Sequence, residues 1–211
     1  MPPAAPRLID RDDLVAALDR AAAGKVTVIS APAGSGKTSL LRAWADRPGQ
    51  PRRLALVQVP RGQQDAQQFW LALLGAVRHA IGADGSADSG EALPAATPDF
   101  DASAMVDRVL SELADAHGGV TLVIDDLHEL LSPEAPTQLT RLLTSLPPQT
   151  HAILTMRHDV RLRLRLTGEL AEIRAADLRF SELEARELLD ASGITLADQD
   201  CVGVHPVRAG G

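Results

Sequence analysis

The chain reads as an α/β protein, a mostly parallel β-sheet covered by helices on its faces. Three observations predict this. Short apolar runs alternate with helical patterns along most of the 211 residues, the signature of strands joined by crossover helices. One apolar run, Val26–Ser30, passes through a glycine-containing loop straight into the amphipathic run Ser39–Ala45. Another, Thr121-Leu-Val-Ile-Asp-Asp126, ends in two carboxylates, which belong at the carboxyl edge of a parallel sheet, where ligands bind.

The elements follow in order. A first helix covers Arg11 to Ala23, with Leu14, Val15 and Leu18 on one face and Gly24 as its stop. Strand one is Lys25–Ser30, and the helix after the loop ends at Pro48-Gly49. Strand two is Arg53–Val59. The spacing of Phe69, Trp70, Leu73, Leu74 and Val77 predicts a long helix over Ala66 to Ile81. Its aromatic stripe suits a core better than a ligand contact. Gly82 to Asp99, rich in Gly, Ala, Ser, Asp and Pro, reads as a long loop. A helix over Asp101 to His117 stops at Gly118-Gly119, and strand three is Val120–Ile124. Leu139, Leu142, Leu143 and Leu146 define a helix over Pro133 to Ser145, which Pro147-Pro148 ends. Strand four is His151–Met156 and strand five is Leu170–Arg174. Ser181-Glu-Leu-Glu184 is a capping box opening a helix that runs to Ala191, with Gly193 at its end. Arg161-Leu-Arg-Leu-Arg-Leu166 alternates as a strand does, in a context that also suits a short helix. Its arginines fit a solvated face better than contacts to phosphate or nucleic acid.

Composition narrows the classes. Aromatic residues make up 2% of the chain and there is no Tyr, so Leu, Val, Ile and Ala must build the core. A formal net charge of −7 argues against a basic nucleic-acid binder. The single cysteine, Cys201, can form no internal disulfide, which fits a reducing cytoplasm. The N-terminal ten residues lack the basic start and apolar core of a signal peptide. No apolar run reaches the ~18 residues of a spanning helix, so no membrane partner is expected.

The loop Ala31-Pro-Ala-Gly-Ser-Gly-Lys-Thr38 carries the chemistry. A strand–loop–helix unit of this kind turns backbone N–H groups inward to cradle phosphate oxygens. The cradle and the first helical turn comprise Ala31, Pro32, Ala33, Gly34, Ser35, Gly36, Lys37, Thr38 and Ser39. Lys37 reaches the β- and γ-phosphates as a mobile point charge, and the Thr38 hydroxyl ligates Mg²⁺. The strict pattern has Gly at the first position, where this chain has Ala31. Asp125, at the end of strand three, completes the Mg²⁺ site beside Thr38, and Asp126 is placed to act as general base on a water. Arg157, directly after strand four, is a candidate sensor of the γ-phosphate, with a solvated strand-end role as its rival. His128 and Glu129 suit a helix cap or the surface as well as an active site. His128 has no partner at metal-ligand spacing, so no zinc site is expected. The expected ligands are therefore ATP or ADP with Mg²⁺.

The motifs Val26–Thr38, Leu122-Val-Ile-Asp-Asp-Leu-His-Glu-Leu130 and Gly168–Ser181 together resemble those of the large LuxR-type, MalT-like transcriptional regulators, members of the STAND class of signal-transduction ATPases. The resemblance covers roughly residues 6 to 200. It implies a three-layer P-loop NTPase fold with a five-stranded sheet in the order 5-1-4-3-2. It also implies ATP as a regulatory ligand and slow hydrolysis as the reset. Lys37, Thr38, Asp125 and Asp126 fall on the family's nucleotide and Mg²⁺ positions and Arg157 on its sensor position. Arg7-Leu-Ile-Asp-Arg11 resembles the segment that lies near the adenine.

On this reading residues 1–178 form the ATPase core, 179–200 begin a helical lid and 201–211 are an irregular tail. The winged-helix, helical-repeat and helix-turn-helix regions of the family have no counterpart in the chain. The expectation is a truncated product, frameshifted near residue 200. DNA contact would then belong to a region absent from this chain, with self-association a property of the full-length architecture. The segment Pro60–Gln64 lacks the acidic character usual after strand two in these regulators. The rival functions are a stand-alone phosphotransferase, for which no acceptor motif is visible, and a non-catalytic interaction module or remnant.

Overall fold

Alternation of apolar side chains along the strands gives the sheet two greasy faces, and the fold covers both. The computed structural model describes residues 11–47, 53–82, 100–157, 170–181 and 184. In chain order they form α1 (Asp12–Ala21), β1 (Val26–Ser30), α2 (Lys37–Ala45), β2 (Leu54–Gln58), α3 (Ala66–Ile81) and α4 (Ala102–Asp115). There follow β3 (Thr121–Asp125), a 3₁₀ turn at Leu127–Glu129, α5 (Ala135–Thr144), β4 (His151–Met156) and β5 (Leu170–Arg174). The sheet order is β2-β3-β4-β1-β5, which is the expected 5-1-4-3-2 seen from the opposite edge. All four strand pairings are parallel.

Most of these elements match the sequence expectation to within one or two residues at each end; α3, β4 and β5 match it throughout. The helix after the loop starts at Lys37, two residues earlier than its amphipathic run suggests, because Gly36 already stands at its N-cap. The Asp65 carboxylate accepts from the N–H groups of Gln67 at 2.8 Å and Gln68 at 3.4 Å and so caps α3. Asp101 caps α4 in the same way, through Ser103 at 2.8 Å and Ala104 at 3.2 Å. These caps satisfy N–H groups that have no partner inside the helix.

Helices α3, α4 and α5 pack on one face. Phe69, Trp70, Leu73, Val106, Leu113, Leu139 and Leu142 meet Ala55, Val57, Leu122, Ile124 and Leu154 there. Helices α1 and α2 pack on the other, where Leu14, Leu18, Leu41 and Trp44 meet Ile29, Val123, Ile153 and Ile173. The aromatic pair of α3 is core, as its helical spacing implies. Phe69 and Trp70 lie edge to face at 5.2 Å, and the Trp70 indole N–H donates to the Gln138 side chain at 2.9 Å.

Part of the sequence reading falls outside the described residues. This holds for Arg7–Asp10, Pro48-Gly49, the 83–99 stretch, Arg161–Leu166, Gly193 and the tail with Cys201. Of the proposed lid only residues 179–181 and 184 are described. Among the described residues no helix is long and apolar enough to cross a membrane.

Candidate functional site

Strand register assembles the site. Ser30, the last residue of β1, pairs with Met156, the last of β4, and the Ala31 N–H donates to the Met156 carbonyl at 3.1 Å. Arg157 therefore emerges beside the start of the loop. On the other flank β3 lies next to β4, with Ile124 paired to Leu154. Asp125 and Asp126 thus leave the sheet at the same edge.

The loop turns twice through the left-handed region, at Gly34 with φ 77° and Gly36 with φ 85°. Glycine adopts this conformation without the clash a Cβ brings. A Cβ at either position would have no heavy atom within 4 Å, so the space beside both glycines is open. The Ser35 hydroxyl donates to the Pro32 carbonyl at 2.8 Å and pins the turn. Helix α2 begins at this loop with no side-chain cap, and the first N–H groups of a helix have no partner inside it and suit an anion.

Lys37 is 6% exposed and folds back across the loop. Its ammonium donates to the carbonyls of Ala31 at 2.7 Å and Pro32 at 2.9 Å. Burial pushes its pKa below the usual lysine value, and the nearby Arg157 cation pushes the same way; Asp126 and Asp125 oppose them. Asp125, Asp126 and Arg157 thus all lie close enough to Lys37 for their charges to bear on it.

The Thr38 hydroxyl donates to Asp125 Oδ2 at 3.0 Å. Asp125 is 3% exposed. Its other oxygen accepts from the Asp126 N–H at 3.1 Å and from the Thr155 hydroxyl. Thr155 is itself fully buried in β4 and accepts from the Asp126 N–H at 2.9 Å. Asp126 takes a left-handed backbone, φ 57°, uncommon for a residue with a side chain. That turn carries the chain from β3 into the 3₁₀ segment and leaves the Asp126 carboxylate at the strand edge.

Sequence reasoning missed Thr155 and left Glu129 and His128 open between a cap, the surface and the site; the structure turns both inward. The His128 side chain is 5% exposed, 3.9 Å from an Asp126 oxygen and 3.4 Å from Glu129. Glu129 also faces Arg157 at 3.7 Å and accepts from the Gly62 N–H at 3.1 Å. Only the apolar Leu127 and Leu130 on either side hint in the sequence that this stretch turns inward.

The arrangement fits a magnesium–nucleotide complex. A hydroxyl and a carboxylate stand together next to an anion cradle, and Mg²⁺ takes few protein ligands and completes its shell with phosphate oxygens and water. Among the described residues no group of three or more His, Cys, Asp or Glu forms a metal cage of another kind. At the far side, Arg11 precedes α1 and reaches residues beyond β5. Its guanidinium donates to the carbonyls of Leu178 at 3.0 Å and Arg179 at 2.9 Å, pairs with Glu184 at 3.0 Å and stacks over Phe180. The capping box forms as its sequence suggests: Glu184 accepts the Ser181 N–H at 2.6 Å, and the Ser181 hydroxyl accepts the Glu184 N–H at 3.2 Å.

A parallel sheet of this order, with a strand–loop–helix whose helix opens on Lys37-Thr38 and an acid on the neighbouring-but-one strand, defines a P-loop ATPase-type domain. Residues 7–156 match the family model for the AAA ATPase domain, and the chain belongs to that family. Among solved structures it is similar to a Walker-type ATPase of Pyrococcus abyssi. The TM-score is 0.57 at 15% identity, over 92% of this chain and 61% of that one. It is also similar to the ORC1 protein of Aeropyrum pernix, solved in complex with DNA. There the TM-score is 0.58 at 14% identity, over 90% of this chain and 50% of the other. At such identities the likeness is one of fold. The chain spans between half and two thirds of the length of these two relatives.

Proposed function

We propose that this domain binds Mg·ATP at the loop Ala31–Thr38 and hydrolyses it slowly. The carrying observation is the convergence of Lys37, Thr38, Asp125, Asp126 and Arg157 at one sheet edge. In this reading the loop N–H groups and the N-terminus of α2 bind the phosphates. Lys37 exchanges its two carbonyl partners for β- and γ-phosphate oxygens. Thr38 and Asp125 hold Mg²⁺, which when bound neutralises charge on the phosphate oxygens. Asp126 accepts a proton from the attacking water. Arg157 and Lys37 stabilise the charge that gathers on the γ-phosphoryl group.

In the same proposal the domain is the nucleotide switch of a LuxR-type, MalT-like regulator in the cytoplasm. The blocks Leu122–Leu130 and Gly168–Ser181 support this through their resemblance to that family. DNA binding then falls to a region outside these residues.

Thermal melts with ATP, ADP and Mg²⁺ on the wild type and Lys37→Ala test the site. A ligand at a hundred times its dissociation constant adds about 2.7 kcal/mol. For a domain of this size that raises the midpoint by about 5–10 °C. Losing a charge-assisted hydrogen bond worth roughly 1.5–3 kcal/mol should remove at least half of this increment at the same ATP concentration. Equal shifts in the two proteins would rule out Lys37 as a phosphate ligand.

A further inference from the structure

Glu129 stands out as an acid that binds on two sides. Its Oε2 accepts the Gly62 N–H at 3.1 Å, in the loop after β2. Its Oε1 faces the Arg157 guanidinium at 3.7 Å and the His128 ring at 3.4 Å. The backbone fixes it there. The 3₁₀ turn follows directly from Asp126, the Leu131 N–H donates to the Gln63 carbonyl at 2.8 Å, and Gln63 and Leu130 form a parallel bridge. The Glu129 side chain is 18% exposed against 36% for Arg157, so the acid is the better anchored member of the pair.

In this structure both cations of the site rest on protein acceptors. Lys37 is held by the loop carbonyls and Arg157 by Glu129. A triphosphate must draw each of them off. On the Mg·ATP reading above, Arg157 at the end of β4 meets the γ-phosphate, which a diphosphate lacks. Removing the Glu129 charge releases Arg157 for that phosphate and should favour the triphosphate over the diphosphate.

We propose that Glu129 is the resting counter-ion of Arg157 and sets how strongly the site distinguishes ATP from ADP. This rests on the Mg·ATP reading above and adds a positioning residue to it. Glu129 touches neither nucleotide; it acts through Arg157. Its pairing with Arg157 costs ATP affinity and leaves ADP affinity alone, which keeps the resting site from saturating with ATP.

The test is Glu129→Gln. The amide keeps an oxygen for the Gly62 N–H and loses only the charge. Titration calorimetry with Mg²⁺ and a non-hydrolysable ATP analogue should show tighter binding by about twofold to fivefold, the range for a partly exposed ion pair. Binding of ADP should stay unchanged. In an Arg157→Ala background the same substitution should no longer alter the ratio of the two constants. A purely structural role would move both nucleotides together. Weaker or unchanged analogue binding, an equal change for ADP, or a full effect that survives Arg157→Ala would each overturn the proposal. Wild-type protein that binds neither nucleotide would instead remove the Mg·ATP reading itself. Hydrogen exchange at the Gly62 amide checks the fold. Its protection should persist in Glu129→Gln, so that an altered ratio reads charge and not a broken loop.

Discussion

Replacing Asp125 separates the structural role of this acid from its proposed role at the metal. Three donors converge on its carboxylate: the hydroxyls of Thr38 and Thr155 and the N–H of Asp126. Asp125→Ala removes all three acceptor contacts. Thr38 lies at the open side of the site and can turn to water. The Asp126 N–H keeps the Thr155 oxygen at 2.9 Å. Thr155 is fully buried, so its hydroxyl loses its acceptor in a place water does not reach. One orphaned buried donor together with lost packing should cost about 2–4 kcal/mol. In a domain of this length that lowers the melting midpoint by about 4–16 °C. Asp125→Asn keeps the shape and one acceptor oxygen, and its amide N–H can donate to Thr38 Oγ1. It should cost only about 1 kcal/mol. Its effect on Mg²⁺ should be large, because the anionic ligand is gone. Melts with ATP, with and without Mg²⁺, provide the assay. The extra stabilisation that Mg²⁺ adds in the wild type should vanish in Asp125→Asn. If it persists in full, Asp125 is not the metal carboxylate. A cost for Asp125→Ala no greater than that of a surface change would show that the buried network is not stabilising.

Two further expectations concern the parts that hold the site. Leu142 is fully buried between α5 and the sheet, so Leu142→Ala should destabilise by about 2–5 kcal/mol in a denaturant titration; a loss under ~1 kcal/mol would place it outside a tight core. At Glu184 burial is the largest single influence and pushes its pKa up. The Ser181 N–H, the Arg11 guanidinium and the Ser181 hydroxyl together outweigh it, so the carboxyl titrates below its ordinary value of 4.5. A depressed folded-state value means that the carboxylate stabilises the fold above pH 4.5 and that this contribution fades as pH falls through the depressed value. The stability gap between wild type and Glu184→Gln should therefore be constant near neutral pH and close in acid. A gap that widens on acidification would contradict the sign.

Much of this was legible without coordinates because it is local. Periodicity marks α3 from Ala66 to Ile81, since a helix and its apolar stripe are properties of neighbouring residues. The phosphate loop is legible for the same reason: its two left-handed glycines, Gly34 and Gly36, and the lysine that follows lie in one short segment. The capping box at Ser181 and Glu184 spans three residues and forms as expected. Glu129 and His128 could not be assigned in this way. Both directions of a short polar turn look alike in sequence, and only the packing of the 3₁₀ segment on β4 and the loop after β2 turns them inward. Thr155 was equally silent, because a threonine inside a strand reads first as a β-former.

The sequence by itself determined the class of fold, the order of its elements and the chemistry available at the loop. These follow from hydrophobic period and from the few residue types that suit a phosphate cradle. The tertiary structure decided which distant side chains meet. Pairing Ser30 with Met156 sets Arg157 beside the loop, and the Ile124–Leu154 pairing brings Asp125 to Thr38 and to the hydroxyl of Thr155. Register is a property of two strands at once, since each apolar face must find its own helices. No single segment encodes it, and the link from Arg157 through Glu129 to Gly62 exists only once the whole sheet is in place.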